Sequence, residues 1–135
     1  MSRSTVSTCH SLKIIPLAKI TRFAQLASRV SMILLGDAID AEAVPGSVKI
    51  STTTDNGNVK KKITFERSDV SESSAAYLEL LKASHLIATY VDESGNTRVA
   101  GSPNWPLSLD YSTEGGVFTV SLSGEDIKPD GFLVD

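Results

Sequence analysis

From Leu86 onward the chain is broken at short intervals by Gly, Pro, Asn or Asp, and apolar and polar residues alternate between the breaks. Leu86-Ile-Ala-Thr-Tyr-Val91 leads into Asp92-Glu-Ser-Gly-Asn96, and Thr97-Arg-Val-Ala-Gly101 follows. Pro106-Leu-Ser-Leu-Asp-Tyr-Ser112 and Gly116-Val-Phe-Thr-Val-Ser-Leu-Ser123 complete the run. Short strands punctuated in this way read as an antiparallel meander. Leu107, Leu109 and Tyr111 oppose Ser108, Asp110 and Ser112, and Phe118, Val120 and Leu122 oppose Val117, Thr119 and Ser121, so both strands are half-buried. Leu86 to Val91 is apolar on both faces and reads as a central strand. The five residues Asp92 to Asn96, with Gly95 among them, suit a bulged hairpin.

The meander has a second β unit in front of it. Val48-Lys-Ile-Ser-Thr-Thr-Thr54 enters a turn at Asn56-Gly57, and Val59-Lys-Lys-Lys-Ile-Thr-Phe65 leaves it. Asn-Gly supplies the positive φ that a tight hairpin needs. Val59, Ile63 and Phe65 share one face, Lys60, Lys62 and Thr64 the other, and Lys61 falls on the apolar face near its open end, where its ammonium reaches water. Between the two β units, Asp69-Val-Ser-Glu72 has capping-box spacing, and Ala76, Tyr77, Leu80, Leu81 and Ser84 recur at helical spacing. This predicts one helix over 71–84, packed on the sheet.

Earlier residues carry weaker signals. Residues 1–10 are rich in Ser and Thr without periodicity and read as a mobile arm, leaving 11–135 as a single β-rich domain. Pro16 argues against a helix at Leu12 to Ile15, which suits a short strand. Ile20 to Leu35 fits helix or strand, and a strand from Val30 to Leu35 is the preferred reading. Pro129 to Asp135 reads as a tail. The expected fold is therefore mainly β with one α-helix: an antiparallel β-sandwich, or a small barrel-like sheet, packed by that helix.

Composition narrows the chemistry. A net charge of −3 over 135 residues gives no global attraction to nucleic acid. The run Lys60-Lys61-Lys62 alternates across a strand, and Asp55, Glu66 and Asp69 offset it, so it reads as a solvated or edge-protecting strand. One cysteine, Cys9, permits no intrachain disulfide and no thiolate zinc site. Cys9, His10 and His85 lack the third group that would orient a nucleophile and base. Asp37, Asp40 and Glu42 form one acidic group and Asp92 with Glu93 another, but Asp92-x-Ser94-x-Asn96 lacks the closing acidic ligand of a calcium loop. No secretory h-region or membrane-length apolar run is present, since the longest apolar block is Met32 to Leu35. The residues thus point to no catalytic group, cofactor or metal. Trp105, set between Pro103 and Pro106, reads either as an interface anchor or as a lid over the core.

Tyr77-Leu-Glu-Leu-Leu81, Leu86 to Gly101, Pro106-Leu-Ser-Leu109, Phe118-Thr-Val-Ser-Leu-Ser-Gly-Glu125 and Phe132-Leu133 together resemble a group of small proteins encoded in phage and prophage tail modules of Bacteroides-type bacteria. The shared pattern is a helix, a strand leading to D-x-x-G and a strand ending in Gly. A closing strand follows, then S/T-G-E and a terminal aromatic-Leu. With the Asn56-Gly57 hairpin, the likeness covers about residues 48–133. It implies a non-enzymatic virion structural role as a tail-tube, neck or connector subunit, made in the host cytoplasm. The implied partners are copies of the chain in a ring and other virion proteins, with no small-molecule substrate and no membrane. Trp105 and the Asp92 to Asn96 loop, Asn96 included, would then lie at subunit contacts or on the particle surface, with Phe132 and Leu133 free to insert into a neighbour. A non-catalytic β-sandwich module binding carbohydrate or peptide on Trp105 and Tyr111 is the alternative.

Overall fold

The computed structural model describes residues 3–8, 10–26, 29–36, 39–44, 46–55, 57–126 and 131–133. In chain order its strands are β1 (Arg3–Thr8), β2 (His10–Pro16), β3 (Ile20–Leu26), β4 (Arg29–Leu34), β5 (Ile39–Asp40), β6 (Lys49–Asp55), β7 (Asn58–Arg67), β8 (Leu86–Val91), β9 (Thr97–Ala100), β10 (Ser108–Glu114), β11 (Val117–Asp126) and β12 (Gly131–Leu133). Helix α1 (Glu72–Lys82) lies between β7 and β8. No described helix is long and apolar enough to cross a membrane.

The hairpin around Gly57 forms as its sequence dictates. Asp55 pairs with Asn58 and Ile50 with Ile63, and Gly57 takes φ +84°, the left-handed conformation a two-residue connection requires. Asn56 lies outside the described residues. Val59, Ile63 and Phe65 are buried while Lys60 and Lys62 are exposed. β11 then pairs along β7, and β10 along β11, giving a five-stranded sheet in the order β1-β6-β7-β11-β10.

The second sheet has seven strands in the order β3-β4-β12-β9-β8-β2-β5. Every pair is antiparallel except β12 with β4. Four strands separate β2 from β3 in this order, which is five steps of about 4.8 Å, or roughly 24 Å across a flat sheet. Yet only Leu17–Lys19, one 3-10 turn, joins them in the chain. From Pro16 to Ile20 the backbone reaches at most roughly 14 Å. The seven-stranded sheet must therefore curl into an open barrel.

Each face of the curled sheet has its own core. On the face toward the five-stranded sheet and α1, Leu12, Ile14, Leu86 and Ala88 pack with Ile63, Phe65, Val120, Leu122, Leu78 and Leu81. Each of the larger side chains contributes about 2 kcal/mol on burial. On the concave face, Val30, Ile87 and Val99 pack with Leu17, Ile20, Phe23, Met32 and Leu133. Both faces of β8 are thus covered, as its apolar sequence requires. The fold is the expected one: mainly β, two packed sheets, one helix.

Several local expectations change. Residues 1–10, read as an arm, contain β1, which runs antiparallel along β6. An edge strand needs little apolar alternation, so Ser and Thr hid it. The Ile20 to Leu35 ambiguity resolves to two strands, β3 and β4. The helix runs Glu72–Lys82 rather than 71–84, and Ser71 is its N-cap, accepting from Ser74 N–H. Asp69 sits outside the helix and accepts from Ser71 N–H instead. The buried stripe is Ser74, Leu78 and Leu81, leaving Leu80 67% exposed. The chain's leucines at 78, 80 and 81 fit two stripes about equally, and sheet contact selects one. Finally, Gly131 to Leu133, read as tail, is an interior strand between β9 and β4.

Candidate functional site

The five-stranded sheet ends in two unlike edges, β1 on one side and β10 on the other. At the root of β10 the two sheets are tied together. Leu107 N–H donates to Leu86 carbonyl at 2.7 Å, and Leu86 N–H returns the bond to Leu107 at 3.0 Å. Two glycines make room for this crossing. A Cβ on Gly124 would meet Leu107 Cδ2 at 2.7 Å, and one on Gly101 would meet Leu107 Cγ at 3.2 Å. These contacts fix where β10 starts, and therefore where its free edge points.

Trp105 is presented beside that root. Ser102 N–H donates to Trp105 carbonyl and Trp105 N–H to Ser102 carbonyl, both at 3.1 Å, closing a turn with Pro103 and Asn104 at its centre. Pro at the second turn position presets the backbone. The Ser102 hydroxyl accepts a further bond from Trp105 N–H at 3.2 Å. Trp105 itself remains 44% exposed. Tyr111, the other aromatic considered with it, is engaged elsewhere. Its hydroxyl donates to Glu79 of α1 at 2.7 Å, and its ring meets Phe118 edge-on at 5.6 Å. The Glu79 bond holds the Tyr111 phenol above its usual range. On the outward face of β10, Asp110 accepts from Tyr111 N–H at 3.0 Å and pairs with Lys82 at 3.5 Å.

Asn96 is exposed at the end of a closed turn. Asp92 Oδ1 accepts from the Ser94 and Asn96 N–H groups, each at 2.9 Å. The carboxylate is consumed by its own loop and by Arg98 at 3.6 Å, which makes this an Asx-type turn. Phe132 and Leu133 are used within the chain. The Arg98 guanidinium lies 4.1 Å from the Phe132 ring centroid, and Leu133 joins the concave core. Insertion of these two residues into a neighbour would require β12 to leave its own sheet.

His10 pairs with Val91 at one end of β8, while His85 precedes its other end. Six residues at about 3.3 Å separate those ends by roughly 20 Å. Cys9 and Asp37 lie outside the described residues. Asp40 accepts from Glu42 N–H, and Glu42 pairs with Arg67 at 2.9 Å. No group of three or more His, Cys, Asp or Glu among the described residues could hold a metal ion.

Arg67 is the residue the sequence did not single out. It is 6% exposed at the end of β7. Its Nε donates to Ser74 Oγ at 2.8 Å, Nη1 to Ala41 carbonyl at 3.3 Å and Nη2 to Glu42, and the group lies 5.1 Å from the Tyr77 ring centroid. One side chain thus joins the five-stranded sheet, α1 and the segment after β5. Burial pushes the Tyr77 phenol upward against the opposing pull of Arg67. The only sequence signal was a charged residue continuing the buried face of Ile63 and Phe65. Compared with protein-family models, curated proteins and solved structures, the chain matches none.

Proposed function

We propose that this chain is a virion structural subunit, in a tail-tube, neck or connector position, that works by joining copies of itself into rings. The observation that carries the reading is the pair of unlike edges, β1 and β10, that end the five-stranded sheet among the described strands. An edge strand presents unpaired backbone donors and acceptors to any strand that reaches it. Pairing β1 of one copy with β10 of the next is a head-to-tail contact, and such contacts generate rings when the rotation closes. Trp105, exposed beside the root of β10, supplies the kind of aromatic anchor that such a contact uses. The phage assignment rests on the likeness of residues 48–133 to tail-module proteins, and the assembly mode on the edges.

Cross-linking tests the edge pairing. In a Cys9→Ser background, Thr5→Cys in β1 and Ser112→Cys in β10 are combined and treated with a flexible bis-maleimide. A ladder of covalent multimers is expected, and neither single-cysteine protein should give one. Oligomers that form but yield no ladder would overturn the β1–β10 contact.

A further inference from the structure

Among the described residues, the apolar cluster on the concave face of the seven-stranded sheet gathers toward one end. Val30, Ile87 and Val99 close the end near the 3-10 turn, and beyond them a groove of about 560 Å³ remains open between β2, β8 and β4. That volume falls within the roughly 300–1,000 Å³ of ordinary small-molecule sites. A strongly curled sheet of this size leaves room for one small ligand.

We propose that this groove binds a small amphiphile with an unbranched apolar tail and an anionic head, such as a medium-chain carboxylate. Ile15, Met32, Leu34, Val91 and Leu133 give the groove a largely hydrocarbon lining, interrupted by the Thr89 and Ser31 hydroxyls, which suits a short hydrocarbon chain. Lys13 is the one charged side chain among its lining residues, and it is exposed. Asp40 is its cross-strand neighbour in β5, but that carboxylate accepts from Glu42 N–H at 2.7 Å and is held in its own turn. Ser11 and Thr97 add hydroxyls at the same end. Ser11 takes φ +55° where the register of β2 against β8 shifts. A bulge with a left-handed serine is a strained arrangement of the kind that collects at barrel rims and binding sites. The head therefore sits at Lys13 with the tail against Ile15, Met32 and Leu34, and this binding is independent of ring formation.

Calorimetric titration of the full chain with dodecanoate, below its micelle concentration, tests the site. One equivalent should bind, and dodecyltrimethylammonium, with the same tail and a cationic head, should bind roughly fivefold more weakly, as expected for one charge-assisted contact at a wet mouth. Lys13→Glu should reverse that preference. Ser31→Trp at the groove's lip should abolish binding with circular dichroism unchanged, and Val91→Trp should do so from the β8 side. Leu80→Ser, on the exposed helix face, should leave binding intact. Absence of dodecanoate binding, or binding that survives both tryptophan variants, would overturn the proposal. So would a change of oligomeric state in Ser31→Trp without any dodecanoate binding, which would identify a second copy as the occupant.

Discussion

Leu86 and Leu107 exchange both of their backbone hydrogen bonds, at 2.7 and 3.0 Å, and in doing so tie the curled sheet to the root of β10. The tie sets the direction of the edge on which the proposed assembly depends. Gly124 and Gly101 permit it by standing where any Cβ would press on Leu107.

Gly124→Ala should therefore destabilise the fold by about 1–3 kcal/mol, the usual cost of forcing an extra methyl into a packed contact. The backbone oxygen of Pro106, at 3.2 Å from the same Cβ, leaves little room to relax. Urea denaturation measures the loss. An alanine at Gly115, where an added Cβ meets nothing within 4 Å, tests positive-φ strain alone and should cost about 1 kcal/mol.

Arg67 should behave as a structural hub. Arg67→Ala strands the Ser74 hydroxyl and the Ala41 carbonyl in a buried site, and a loss of about 2–4 kcal/mol is expected. Ser74→Ala alone should cost about 1 kcal/mol, and a double-mutant cycle between the two should show coupling of at least about 0.5 kcal/mol. Additive losses would mean that the 2.8 Å contact contributes nothing.

Alkaline pH should weaken the fold through two tyrosines. Tyr77 and Tyr111 both have phenols raised above the ordinary 10.0. The folded chain holds these protons more tightly than the unfolded chain does, so the stability they contribute is complete below that value and is lost as pH rises toward the raised folded values. Tyr111→Phe should flatten part of this decline in thermal melts. At the acid end, Asp69 lies below its ordinary 3.8 because Ser71 hydrogen-bonds to it. Its contribution is present above 3.8 and disappears as pH falls through the depressed value.

Much of this architecture is legible in the residues. Alternation at Leu107 to Tyr111 and Phe118 to Leu122, with the hairpin that ends at Phe65, marks four of the five strands of the first sheet. The single meander expected from Leu86 to Ser123 is divided, however, β8 and β9 joining the seven-stranded sheet and β10 and β11 the five-stranded one. The helix exists where Ala76 to Leu81 predict one, although its buried stripe follows Leu78 and Leu81, because only contact with the sheet chooses between overlapping leucine patterns. The curl of the second sheet is not readable locally, since it arises from β2 and β3 being joined by a short turn while four strands intervene between them. β1 and β12 were hidden for a similar reason. Short segments become strands through partners far away in sequence, and their own composition hardly shows it. Of the residues the sequence singled out, Trp105 and Asn96 are exposed, whereas Phe132 and Leu133 pack within the chain.

Trp105 separates assembly from folding. At 44% exposure, Trp105→Ala should change stability by no more than about 1 kcal/mol, yet weaken association between copies by roughly tenfold or more if the indole is a contact anchor. Equal association of variant and wild type would remove Trp105 from the interface.

Sedimentation velocity of the purified chain across a wide concentration range, with negative-stain microscopy of the same samples, bears most directly on the proposed role. Edge-to-edge joining through β1 and β10 predicts a discrete oligomer that grows with concentration and appears as closed rings or stacked tubes. A chain that stays strictly monomeric at the highest concentrations, with no rings in the micrographs, would contradict it.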